Sequence, residues 1–213
     1  MHDHRDPLLF PVRIADLRPT QLTVGLREVA QKRRHWRESY GKKADRFLGT
    51  HLIPVVIGPK RINYIVDHHH LARALHDEGV RDVLTSTVAD LSQLDEGAFW
   101  FNLENRNWTH PFDAKGRKRD VSELPKTIDA LVDDPYRSLA GELRQAGGYA
   151  KDDRPFVEFL WADFLRRRIK SKRLKNNFDE CLKDAILLAR SPDANYLPGW
   201  CGPSDTSAQR TRK

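Results

Sequence analysis

The segment YIVDHHHLARAL, residues 64–75, changes its pattern in the middle. It begins with an apolar run typical of a buried strand, and its last residues have the apolar spacing of an amphipathic helix. Asp67, His68, His69 and His70 occupy the boundary between the two patterns. The segment therefore predicts a strand that turns directly into a helix, with one acid and three histidines at the turn.

The flanking sequence predicts an α+β fold. HLIPVVIG (51–58) and RINYIVDHH (61–69) are typical of the two strands of a β-hairpin, with a Gly-Pro turn between them. Helical periodicity dominates after residue 95. We predict a small mixed sheet followed by a largely helical C-terminal half. The expected organisation is a core over residues 8–95, a mostly helical extension packed on it over 96–190, and a polar, flexible tail over 191–213.

Charge and composition narrow the classes of partner and compartment. The formal net charge of +7 favours anionic partners such as nucleic acid, nucleotides and phosphorylated small molecules. The basic run that includes Arg33, Arg34, Lys42 and Lys43 is either a nucleic-acid-binding face or a solvated helix surface. The two cysteines form no CxxC pair, which excludes a zinc ribbon and indicates a reducing compartment.

The sequence gives no sign of a membrane or export segment. The first residues lack the features of a signal peptide, and no apolar run approaches the roughly 20 residues that a transmembrane helix requires. We therefore expect a cytoplasmic protein without a membrane partner.

The histidines have three interpretations. A shared metal ion is disfavoured, because neighbouring side chains diverge on a strand or a helix and no i, i+4 histidine pair is present. Alternatively, the unpaired amides of the first helical turn, together with His68, His69, His70 and Arg73, bind a phosphate. In the third interpretation, Asp67 caps the helix and the histidines are partly buried structural groups. The pattern alone leaves the second and third interpretations open.

A second cluster, DDPYRSLAG, begins a later helix. Pro135 suits the first helical position and Asp134 the N-cap. The functional alternative places Arg137 and Ser138 at the phosphate site, where an arginine can hold an oxyanion with two hydrogen bonds. Glu158 is either a surface acid or a buried partner of Arg137 or His69.

The chain resembles the ParB/sulfiredoxin superfamily, in which a strand is followed by a polar box of the GxRR or DGHHR type and a helix with small residues. It is more similar to the ParBc_2 branch of ParB-like proteins, through DLRPTQLTVGLREV, IPVVIGP, YIVDHHHLARAL, DDPYRSLAGELRQAGGY and FVEFLWADFLR. The similarity extends over about residues 12–170. It implies a small mixed sheet of the ParB/sulfiredoxin type.

The resemblance also implies nucleotide chemistry at the DHHH turn. Members of the superfamily hydrolyse CTP or transfer phosphate from ATP, which implies a phosphotransferase or nucleotide hydrolase that uses a nucleoside triphosphate or diphosphate with Mg²⁺. The expected catalytic residues are Asp67, His69 and His70, with Asp67 also holding the metal. The expected cofactor-binding residues are His68, His69, His70, Arg73, Arg137 and Ser138. The alternative is a nucleic-acid-binding protein or nuclease related to chromosome-partitioning ParB.

Three departures from the family pattern limit this expectation. His68 stands where the DGHHR form has glycine. Gln21 stands where kinase-type relatives have an acidic general base, and an amide cannot accept a proton at neutral pH. Glu28 is the substitute if its helix faces the site. The box also lacks the cysteine that sulfiredoxin requires.

Overall fold

The structure is a computed structural model that describes residues 9–39 and 44–203. It divides into two compact units, Met1–Asp133 and Asp134–Lys213. This division differs from the predicted boundary at residue 95, because the aromatic-rich segment that follows residue 95 belongs to the first unit. Lys42, Lys43 and residues 204–213 of the predicted tail lie outside the described part of the chain.

The first unit contains a five-stranded mixed sheet, which confirms the α+β prediction. Its strands are β1 (Leu9–Arg13), β2 (Arg18–Pro19), β4 (Ile53–Ile57), β5 (Asn63–Ile65) and β6 (Asp82–Asp90), in the order β1-β6-β4-β5-β2. The β1–β6 and β4–β5 pairs are antiparallel, whereas β4–β6 and β2–β5 are parallel. A separate parallel pair joins β3 (Thr23–Val24) to β7 (Val132–Asp133).

The predicted hairpin forms because β4 is apolar on both faces. Val55 packs into the core that includes Leu71 and Leu75, whereas Val56 packs with Phe99 in a second cluster. A strand buried on both sides has this continuous apolar sequence. Gly58 begins the turn, where an added Cβ would lie 2.6 Å from Tyr64 and 2.8 Å from Phe99. The turn therefore needs a residue without a side chain.

Four α-helices lie in the described residues of the first unit. They are α1 (Leu26–Glu38), α2 (Ala44–Thr50), α3 (His69–Asp77) and α4 (Glu96–Asn105). Helices α1 and α3 pack together through a core that includes Val29, Leu71 and Leu75. Helix α3 is followed by Gly79 at φ +75°, the left-handed backbone conformation that commonly ends a helix. The strand-to-helix change predicted at residues 67–70 is confirmed, since β5 ends at Ile65 and α3 begins at His69.

The second unit consists of helices and 3₁₀ turns in its described part, residues 134–203. The helices are α5 (Pro135–Gln145), α6 (Val157–Arg166), α7 (Ser171–Asn176) and α8 (Phe178–Arg190). Asp134 caps α5 as predicted, since its side chain accepts a hydrogen bond from the amide of Tyr136 at 2.9 Å. The core includes Leu139, Leu143, Trp161 and Phe164.

The first part of the predicted tail is packed rather than loose. Pro192–Ala194 forms a 3₁₀ turn, and Ala194 and Leu197 are buried in the core of the second unit. The indole of Trp161 donates a hydrogen bond to the carbonyl of Pro198 at 2.9 Å. Ala194, Leu197 and the partly buried Trp200 are the apolar anchors of this polar segment, a signal too sparse for periodicity to reveal.

Candidate functional site

The turn between β5 and α3 separates its four polar residues into two classes. Asp67 and His68 are exposed. His69 and His70, the first two residues of α3, are only 3% and 7% exposed. We call residues 67–70 the β5–α3 corner. Its outer half faces solvent and its inner half belongs to the core.

His68 holds the chain in the conformation that turns the strand into the helix. Its backbone is left-handed, with φ 63° and ψ 25°, which is strained for a residue other than glycine. Its amide donates to Asp67 Oδ1 at 2.6 Å, and its ring Nδ1 lies 2.8 Å from the carbonyl oxygen of Leu52. A carbonyl oxygen only accepts, so Nδ1 donates in this bond and Nε2 is the ring nitrogen outside it.

His69 is a buried, neutral link between two strands. Its Nε2 accepts a hydrogen bond from the amide of Thr20 at 3.1 Å, and its ring also bonds the backbone of Ile65. The Thr20 hydroxyl donates to the Ile65 carbonyl at 2.6 Å. Burial first, and then the neighbouring His70, lower the pKa of His69 to about 3. This histidine is therefore uncharged at neutral pH.

His70 anchors the start of α1. Its Nε2 accepts a hydrogen bond from the amide of Gly25 at 2.9 Å, directly before the first residue of that helix. The carboxylate of Glu28, one turn into α1, lies 3.7 Å from the same nitrogen. Asp133 accepts from the next amide, that of Leu26, at 3.0 Å. Glu28 therefore faces the corner, which is the condition for it to substitute for the acid that is absent at Gln21.

These contacts do not agree with the prediction that His69 and His70 are catalytic and bind phosphate. The Nε2 atom of each ring is a hydrogen-bond acceptor for a backbone amide, and both rings are buried. A phosphate needs donors, which these nitrogens cannot supply while they hold their backbone partners. The burial and the backbone partners of this pair fit the interpretation of the histidines as buried structural groups, and their catalytic and phosphate-binding roles stay predictions.

Arg73 is also used within the fold. Its guanidinium donates to Asp77 at 2.9 Å and to the carbonyls of Asp129 and Leu131 at 3.1 and 2.8 Å. These bonds fasten α3 to the turn before β7. The geometry therefore does not support the predicted phosphate contact of Arg73.

Arg137 and Ser138 belong to the second unit, where both are buried on α5. Arg137 lies 3.9 Å from Glu158 and 5.4 Å from the ring centre of Phe159. Glu158 also lies 3.3 Å from Arg144. The predicted pairing of Glu158 with Arg137 is therefore present, and the predicted phosphate contact of Arg137 and Ser138 stays a prediction.

Asp67, the acid predicted to hold a metal, has a backbone partner, as do the acids at the start of the second helical cluster. Asp67 accepts from its neighbour's amide, Asp133 from Leu26, and the buried Asp134 from Arg166 at 2.6 Å. Among residues 9–39 and 44–203, no group of three or more His, Cys, Asp or Glu side chains is placed to hold a metal ion. Mg²⁺ is commonly held by one or two carboxylates together with the phosphates of its substrate, so Asp67 as a metal ligand stays a prediction.

The positive charges that the basic run places on α1 are partly neutralised by acidic partners. Arg33 donates to Glu78 at 2.6 Å, and Arg37 donates to both oxygens of the same carboxylate at 2.7 Å. The hydrogen bonds from Arg37 and Arg33 lower the pKa of Glu78 to about 2. Arg34 remains exposed. Most of this charge therefore joins α1 to the end of α3.

A more open run of positive charge lies in the second unit. We call residues 167–175 the basic segment. Three of its arginines have acidic partners: Arg167 with Asp163, Arg168 with Asp193 and Arg173 with Asp184. Its exposed lysines, Lys170, Lys172 and Lys175, form no ion pair within the described part of the chain. The run RRRIKSKRLK, residues 166–175, is a continuous basic stretch in the sequence and begins at the last residue of the amphipathic helix α6.

Comparison with known proteins gives a family and a structural relative. A family model, ParBc_2, described as "Putative ParB-like nuclease", matches residues 10–167. The crystal structure of protein Atu1540 from Agrobacterium tumefaciens is 52% identical, with a TM-score of 0.86 over 93% of this chain and 100% of that chain. No curated protein matches. In the described residues, no helix is both long and apolar enough to span a bilayer.

Proposed function

The chain belongs to the ParBc_2 family of ParB-like proteins, and from this premise we propose that it binds a nucleotide phosphate at the outer half of the β5–α3 corner. The phosphate contacts would come from the ring of His68 and the backbone amides of the first turn of α3, with Asp67 beside them as the acid that acts on water. This revises the set of residues expected from the sequence. His69 and His70 become the groups that position the site.

The exposure of His68 in a strained backbone conformation is the observation that carries the proposal. A left-handed residue costs of order 1 kcal/mol relative to glycine, which would fit this turn without strain. Two buried histidines, His69 and His70, also hold the segments around Thr20 and Gly25 against the corner. Strain and rigid support together are typical of functional turns.

The chemistry of the outer half suits a phosphate ester. With Nδ1 held by Leu52, the Nε2 atom of His68 is the free end of the ring, and its protonated form is a charged donor. The positive end of the α3 dipole adds to the attraction for an anion. Asp67 keeps one carboxylate oxygen beyond the one that accepts from His68. In hydrolysis this oxygen would take the proton of the attacking water as the phosphorus–oxygen bond to the leaving group breaks.

A nucleotide panel tests this proposal. Thermal melting of the full chain is measured with each nucleoside triphosphate and diphosphate, with and without Mg²⁺. A ligand at a hundredfold excess over its dissociation constant stabilises a protein by about 2.7 kcal/mol, well within the range of the method. His68→Ala should abolish the shift. His35→Ala is the matched control, because that ring is 63% exposed on α1, outside the corner. Equal shifts in both variants, or none with any nucleotide in the wild type, would reject the proposal.

Nucleic-acid binding is the second candidate. It is favoured by Lys170, Lys172 and Lys175, whose exposed charges are free of carboxylates within the described residues. Lysines in such a run bind phosphates as point charges, and the binding weakens steeply with salt. Titration of the protein into a fluorescent oligonucleotide at several salt concentrations measures nucleic-acid binding. The nucleotide panel above measures the binding of single nucleotides, so the two functions are tested separately.

A further inference from the structure

A basic pocket lies at the opposite end of β5 from the corner. It has a volume of about 360 Å³ and is lined by residues that include Arg18, Arg61, Lys126, Val12, Ile62 and Asp16. These residues come from β1, the turn after it, the start of β2, the β4–β5 turn and the segment before residue 128. The sequence offered no signal for this site, because its cations are far apart in the chain.

The charges of this basic pocket are unbalanced. Asp16 is the acid among its lining residues, and Arg13 already holds both oxygens of that carboxylate, at 2.8 and 3.2 Å. Arg61 lies 3.9 Å from Asp90, but both side chains are largely exposed, so this pair is weak. Three cations therefore face one cavity whose carboxylate is already neutralised.

The backbone holds the side chain of Arg18 and the main chain at Arg61. Arg18 donates a hydrogen bond to the carbonyl of Lys126, which leaves other N–H groups of the same guanidinium for a ligand. Lys60 and Arg61 both have left-handed backbones, at φ 58° and 57°, although neither is glycine. Two consecutive strained residues at the entrance of the cavity set the direction in which the side chain of Arg61 departs from the backbone.

We propose that this basic pocket binds a small organic phosphate, a phosphomonoester with an apolar group next to the phosphate. Arg18, Arg61 and Lys126 would neutralise the dianion, and an arginine can hold two of its oxygens at once. Val12 and Ile62 supply an apolar wall for the organic group. The volume falls in the range of small-molecule sites, whereas a nucleic-acid strand would require an open track.

Calorimetric titration of the full chain with phenyl phosphate and with inorganic phosphate tests the proposal, at constant ionic strength in chloride. Phenyl phosphate should bind more tightly than inorganic phosphate because of the apolar wall. Arg61→Gln should weaken phenyl phosphate binding at least tenfold, about 1.4 kcal/mol. Arg34→Gln, an exposed arginine on α1, should leave it unchanged.

The remaining outcomes are decisive in either direction. Lys126→Gln, a second variant at an exposed position, should also weaken phenyl phosphate binding, which keeps the test open if Arg61→Gln fails to fold. Binding that survives both Arg61→Gln and Lys126→Gln overturns the pocket, as does the absence of heat with phenyl phosphate at millimolar concentration. Loss in His68→Ala with retention in the arginine variant would place the ligand at the corner instead. Retention in His68→Ala supports the pocket whether or not nucleotides bind.

Discussion

The Nε2 atom of His69 lies 3.1 Å from the amide nitrogen of Thr20, and both residues are buried. This bond joins α3 to the segment after β2. The Thr20 hydroxyl donates a separate hydrogen bond to the carbonyl of Ile65 at 2.6 Å. His69→Ala would leave a cavity and a buried amide without its acceptor. We expect a loss of about 2–4 kcal/mol in the free energy of unfolding, measured by urea titration.

The neighbouring histidine provides the control for that loss. His68→Ala removes an exposed ring one residue earlier, and its cost should stay within about 1 kcal/mol. If the two variants were equally destabilised, the division of the corner into a supporting half and an outer half would be wrong.

The buried histidine also makes stability depend on pH. Its pKa is lowered to about 3 in the folded chain, whereas an unfolded histidine titrates near 6.5. Between these values the unfolded state binds the extra proton. The stability contribution is therefore complete above about pH 6.5 and is lost as pH falls toward 3.

The slope of this loss approaches 1.4 kcal/mol per pH unit for one group. Glu78 and Asp152, whose pKa values are lowered to about 2 by their arginine partners, titrate at lower pH. Urea titrations at pH 7.5 and pH 5 should differ more for the wild type than for His69→Gln. An identical change in unfolding free energy between the two pH values in both proteins would show that the pKa of His69 is the same in the folded and the unfolded chain.

His68→Gly separates function from stability at the same position. Glycine adopts the left-handed conformation of this residue without strain, and this gain offsets the lost bond to the Leu52 carbonyl. We expect a melting temperature within a few degrees of the wild type and loss of the nucleotide-induced shift. A glycine variant that still responds to nucleotide would remove His68 from the ligand site.

The sequence predicted the elements of the corner because their signals are local. The alternation in β5, the apolar spacing of α3 and the glycine after that helix each act within one turn or strand. The direction of each histidine was not predictable in this way. His69 and His70 are buried because the chain near Thr20 and Gly25, some 45–49 residues earlier, presents its amides to them.

The same reasoning explains the missed cavity and the difference between the predicted boundary at residue 95 and the division after Asp133. Arg18, Arg61 and Lys126 come together only through sheet topology, since β2 pairs with β5 in parallel. Phe99 lies beyond the expected boundary but packs on Val56, so its segment belongs to the first unit. The cavity and the extent of the first unit both depend on contacts between residues that are far apart in the sequence.

The second unit depends on a buried ion pair at its first residue. Asp134 has a fully buried side chain, accepts from Arg166 at 2.6 Å and caps α5. Asp134→Ala would leave Arg166 buried with less compensation, and we expect a loss of about 3–5 kcal/mol in the free energy of unfolding. Asp153→Ala, at a side chain that is 98% exposed, is the matched control. Similar urea midpoints for the two variants would contradict this role.

The basic segment makes a quantitative prediction about salt. If Lys170, Lys172 and Lys175 each neutralise a phosphate, replacing all three with glutamine should lower the slope of log K against log salt by about 3. The control replaces Lys60, Lys115 and Lys151, which are also exposed and remove the same net charge. Fluorescence anisotropy with a labelled oligonucleotide measures both. A slope that falls equally in the two variants would mean that the protein senses only its total charge, and the basic segment would then have no role as an interface.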